Sequence, residues 1–153
     1  VAPDLHVDTI LRDDVFVRNG LLILGAKNLL EEEKNREFLS QVLSNFENKS
    51  IFYKPHPMED QTILQEFLNL IVVQNLKDFR DIPSHIISPF SSLGYDLPLF
   101  VYNKTKIRLN VYHGFGSWYD EMVKSKYPDM VLHVSKYANN YIGKSFRRFC
   151  DAN

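Results

Sequence analysis

GLLILGA, residues 20–26, is the stretch that decides the fold. Leu21, Leu22, Ile23 and Leu24 follow one another without a polar interruption, and a glycine stands on each side. A strand with one wet face alternates apolar and polar residues, whereas a strand covered on both faces has no reason to. The run therefore reads as a central strand of a parallel sheet, with Gly25 and Ala26 just past its carboxyl end.

Working outward, the next segment sets Leu29, Leu30, Phe38, Leu39, Val42, Leu43 and Phe46 at helical spacing, with acids at its start. Residues 50–53 read as a second strand that runs into Lys54-Pro55-His56-Pro57. Beyond it, Ile63, Leu64, Phe67 and Leu68 make one stripe of a second amphipathic helix. Residues 71–73 read as a third strand, and residues 78–84, which contain Ile82-Pro83, as a turn or short helix. Residues 85–88 read as a fourth strand leading to Ser91-Ser92, and residues 99–102 as a fifth. This alternation predicts an α/β, Rossmann-like three-layer domain with a mainly parallel sheet of about five or six strands and right-handed crossovers. Upstream, residues 1–19 show no clear period and read as a lead-in or linker, leaving residues 20–153 as the domain. After residue 104 the pattern weakens: Ser117 suits the cap of a helix carrying Trp118, Met122 and Val123, and residues 131–149 read as a closing strand-helix unit or a single helix.

The totals narrow the function classes. With 153 residues the chain is one domain by length, and its 44% hydrophobic and 24% charged content is that of a globular protein. A net charge of −1 gives no sign of a nucleic-acid partner. No apolar run approaches the ~20 residues of a membrane helix. Cys150 is the only cysteine, which fits a reducing, cytoplasmic setting. The basic aromatic stretch of residues 131–149 suits peripheral contact with the inner membrane, although a packed terminal helix with a solvated basic face explains it more simply.

In open parallel sheets, ligands sit beyond the carboxyl ends of the strands. Gly25, the Lys54–His56–Pro57 segment and the Ser91-Ser92 pair all fall at such ends. They offer what a phosphate ester needs: a permanent cation, an imidazole, two hydroxyls and amides at helix starts. Prolines on both sides of His56 restrict the backbone there, and Pro57 suits the first position of a helix with His56 as its cap. Taken singly, each of these residues is more often a turn, a cap or a surface lysine; their placement at successive strand ends makes them a candidate site. Other signals are weaker. His6 with Asp4 and Asp8 lacks a metal pattern, His85 begins a buried strand and reads as structural, and residues 113–116 read as a loop. The phosphate-binding G-x-x-x-x-G-K-[ST] and G-x-G-x-x-G patterns are absent. So is D-x-D, which argues against a donor diphosphate held through a metal; no metal and no cofactor are expected.

KPHP after one strand and FSSL after a later one resemble the His-Pro and Ser-Ser motifs of bacterial GT-B sialyltransferases. These include the lipooligosaccharide sialyltransferases and polysialyltransferases. The resemblance covers residues 21–102. It implies that His56 contacts the donor phosphate and can protonate the leaving group, while Ser91 and Ser92 hold that phosphate. Lys54 stands where a basic residue often precedes the histidine, and Gly25 lies in a loop that the donor approaches. It implies a metal-independent, inverting transferase that binds CMP-sialic acid and passes the sugar to a glycan acceptor of capsule or lipooligosaccharide. The acceptor-activating carboxylate of such enzymes lies in another, N-terminal domain, so this chain is expected to be the donor-binding half of a larger enzyme. Kdo transferases and CDP-glycerol phosphotransferases share the layout. The latter carry an acid and a tyrosine before the serines, where this chain has Ser88-Pro89-Phe90. A non-catalytic nucleotide-binding module is the reading from a different class.

Overall fold

The computed structural model describes residues 11–12, 14–89, 91–116 and 136–152. Six strands form one sheet: β1 (Phe16–Leu24), β2 (Ile51–Lys54), β3 (Ile71–Val72), β4 (Asp81–Ser88), β5 (Leu109–His113) and β6 (Ala138–Ile142). Their order is β3-β2-β1-β4-β5-β6, and every neighbouring pair is parallel. This is the strand order of Rossmann-like doubly wound sheets. The central pairing sets Leu21 opposite Ile51 on one side and His85 on the other.

Helices cover both faces because residues of β1 alternate between two cores. Leu21 and Ile23 pack with Leu39 and Val42 of α1 (Glu33–Asn45) and Phe149 of α3 (Phe146–Asp151). Leu22 and Leu24 pack on the opposite face with Leu97, Phe100 and Val101 of α2 (Leu93–Thr105). Residues 21–24 are at most 2% exposed, which is why the run carries no polar residue. Burying each such side chain contributes ~1.5–3 kcal/mol. Asn35, buried in α1, donates from Nδ2 to the Leu29 carbonyl at 2.9 Å and to Glu32 Oε2 at 2.9 Å, fixing the path from β1 into α1.

Four expectations give way. Strand β1 begins at Phe16, and Leu11 and Val15 lie in the core, so the described part of residues 1–19 belongs to the packed domain rather than to a linker. Its first half pairs Phe16 with Asp81 and Arg18 with Pro83 while remaining largely exposed, which removes the apolar signal. Residues 81–84, expected in a turn or short helix, open β4. Pro83 fits because the β1–β4 register shifts between Arg18 and Leu21, and an irregular ladder tolerates a residue with no N–H. The second amphipathic helix is a 3-10 helix, Gln61–Glu66. It ends before Phe67, which breaks the expected stripe: Leu64 is buried and Phe67 half-buried, while Leu68, in the turn that follows, is 93% exposed. Residues 99–102, expected as a strand, lie inside α2, and the fifth strand is Leu109–His113.

Of the two closings expected, a strand-helix unit or a single helix, the chain forms the first, as β6 and α3. Phe149 is buried, whereas Lys144, Arg147 and Arg148 are exposed, and Arg147 pairs with Asp151 at 3.4 Å. The basic face of α3 is therefore the solvated side of a packed helix. Among the described residues no helix is long and apolar enough to cross a membrane. The helix expected to start at Ser117, the His6 cluster and Phe90 lie outside the described residues.

Candidate functional site

A pocket of about 390 Å³ opens at the carboxyl ends of the strands, within the size range of small-molecule sites. Leu24 and Gly25 come to it from the end of β1, and Lys54, Pro55, His56 and Pro57 from the end of β2. Gln74 to Leu76 arrive after β3, and Ser91 and Leu93 from the start of α2. It therefore lies beside the gap between β1 and β4, where the order of strands reverses. A larger hollow, about 510 Å³, runs along the 3-10 helix and β3, but its lining (Gln61, Thr62, Leu64, Gln65, Phe67, Leu68, Leu70, Val72) has no charged group. The smaller one holds the cation and the imidazole, Lys54 and His56.

Gly25, Lys54, His56, Pro57 and Ser91, named from sequence, meet in this pocket. Ser92 does not line it: it is exposed and precedes α2 with no side-chain cap bond. Ser91 instead shapes the entry to α2, its Oγ accepting from the Leu93 N–H at 3.2 Å. The next amides are occupied too, since Gly94 bonds to the Ser91 carbonyl, and Tyr95 and Asp96 to that of Ser92. The helix start thus offers a ligand fewer amides than its sequence promises. The polar side chains of the pocket are those of Lys54, His56, Gln74, Asn75 and Ser91.

His56 is not a helix cap and Pro57 does not start a helix. They form a turn between β2 and the 3-10 helix, which is capped by Asp60 through the Thr62 N–H. The reason is Glu59. Its Oε1 accepts from the His56 N–H at 3.0 Å, and the Glu59 N–H donates to the His56 carbonyl at 3.0 Å. Its Oε2 accepts from the Tyr53 hydroxyl at 2.5 Å. Burial raises the Glu59 carboxyl above its ordinary range, against the opposing pull of these two bonds. Burial, and the neighbouring Glu59, push the Tyr53 phenol up as well. Gly25 sits directly against this pair: a β-carbon there would collide with Glu59 Oε1 and stand 2.9 Å from the Tyr53 ring. Its role is thus to admit Glu59. Sequence reasoning missed Glu59, Gln74 and Asn75; the only trace was a carboxylate three residues past His56.

His56 is exposed, with Nδ1 accepting from the Met58 N–H at 3.0 Å. Lys54 is half-buried and makes no ion pair among the described residues. His85 is structural, as expected: it is buried edge-on between Phe46 and Phe149, with Ser84 Oγ 2.9 Å from Nδ1. Among the described residues the pocket thus holds one cation, one imidazole, one hydroxyl and the two side-chain amides of Gln74 and Asn75, with Leu24, Leu76 and Leu93 as its apolar part. Such a set can neutralise and hydrogen-bond an anionic ester while an aromatic or sugar portion rests on the leucines. No family model, curated protein or solved structure matches this chain.

Proposed function

We propose that this domain binds the cytidine-nucleotide donor of a sialyltransferase-like, GT-B glycosyltransferase, with CMP-sialic acid as donor and a glycan of capsule or lipooligosaccharide as acceptor. The observation that supports this reading most is the meeting of Gly25, Lys54, His56, Pro57 and Ser91 in one pocket at the strand ends. Sialyl transfer breaks the bond to phosphate early, so negative charge builds on the departing CMP. Groups already aimed at those oxygens lower the barrier. Lys54 neutralises the phosphate, Ser91 donates its hydroxyl proton, and His56 bonds to it from the turn. The acceptor-activating base belongs to a separate domain in this reading.

A calorimetric panel of CMP, CDP, UMP, UDP and GDP tests it. CMP should bind most tightly, and added magnesium should change its affinity little. Equal affinity across the panel, or strict magnesium dependence, would remove the cytidine assignment.

A further inference from the structure

We infer that the turn of residues 55–59 holds His56 as the Nε2–H tautomer, with Glu59 as the positioning residue, so that the ring offers its ligand a neutral hydrogen-bond donor. This rests on the donor-site reading only for the ligand's identity. A backbone N–H can only donate, so the Met58 N–H at 3.0 Å needs a bare Nδ1 as its acceptor. In a neutral ring with Nδ1 bare, the proton is on Nε2. That nitrogen has no hydrogen-bond partner among the described residues, and His56 is one of the residues that line the pocket.

The turn is fixed from below. Glu59 bonds to both the N–H and the carbonyl of His56, and through Tyr53 it is tied to β2. Pro55 and Pro57 limit the backbone on either side of the ring. A doubly protonated ring would have to give up the Met58 bond, because its Nδ1 would then be a donor facing a donor. Held this way, His56 stabilises the charge on a departing phosphate as a hydrogen-bond donor and keeps its proton. Glu59, beneath the turn, acts through His56 and does not touch the ligand.

The test is nitrogen-15 NMR of the histidine rings, at about pH 9, well above the ordinary histidine range. His56 should show a protonated Nε2 and an unprotonated Nδ1. A protonated Nδ1 would overturn the inference whether or not CMP binds. Replacement separates the two nitrogens: His56→Gln keeps a donor near the Nε2 position, and His56→Asn keeps the acceptor for Met58 but is too short to place a donor there. CMP affinity should stay within about threefold in the first and fall about tenfold or more in the second, a loss of about 1.4 kcal/mol or more. Equal losses in both would overturn the donor role. Glu59→Ala should remove the tautomer preference, and an unchanged ring spectrum would overturn the positioning role. If that variant does not fold, Glu59→Gln serves, and there an unchanged spectrum with unchanged CMP affinity overturns it equally. Should no cytidine nucleotide bind at all, the proposed function fails while the ring spectrum still decides the tautomer.

Discussion

At the scale of single residues, the pocket separates two serines that adjoin in sequence. Ser91 lines it and Ser92 does not, so Ser91→Ala should weaken CMP binding by about 0.5–1.5 kcal/mol and Ser92→Ala should leave it unchanged. Titration calorimetry on the two variants checks this; equal effects would mean that the helix start moves as a unit when ligand binds. His56→Ala should cost about 1–3 kcal/mol of binding. Its melting temperature should hold, because the exposed ring makes one local bond, to Met58. Early melting with unchanged affinity would make His56 a turn residue only. The sequence exposed these side chains because each follows an apolar strand. It hid Glu59, whose importance depends on a contact with Gly25 that no local pattern encodes.

At the scale of elements, legibility followed burial. β1 was readable because both its faces are covered, and α1 because only one of its faces is. α2 misled for the opposite reason. Gly94, Tyr95, Leu97, Pro98, Phe100 and Val101 are all buried, so its apolar residues crowd together instead of recurring with a helical period, and Pro98 argues further against a helix. The first half of β4 was masked by Pro83 in the same way. What seats α2 is Gly94, where an added β-carbon would strike Ser88 at the end of β4. Gly94→Ala should therefore destabilise the domain by about 1–3 kcal/mol in urea unfolding. Adding Ser88→Gly should recover much of that loss, since it removes the atoms that clash. Additive losses in the double variant would show that Ser88 is not the obstacle.

At the scale of the whole molecule, acid is the expected weakness. His113 stacks on Tyr95 at 5.3 Å and meets Asn140 at 2.7 Å, and burial lowers its ring to about 3 from the usual 6.5. His85 is lowered too, by burial and then by Lys49. In the fold His113 stays neutral down to about 3, and His85 is biased the same way, while both take up protons below 6.5 in the unfolded chain. Stability is thus complete above that pH and drops as pH falls towards about 3. Each ring contributes a slope of up to about 1.4 kcal/mol per pH unit. Glu59, with its raised carboxyl, acts in the other direction and softens the fall. Urea midpoints between neutral and mildly acidic pH should show the slope, and His113→Gln should flatten it; an unchanged slope would place the acid sensitivity elsewhere. One feature of the sheet also bears on how the protein is made. β1 lies between β2 and β4, and no neighbouring strands are joined by a hairpin. As the chain leaves the ribosome, one side of β1 can be paired once Lys54 is free, but the other waits for Ser88. Over that interval one edge of this apolar strand is open to other nascent chains, which makes translation speed between those two residues a factor in its yield.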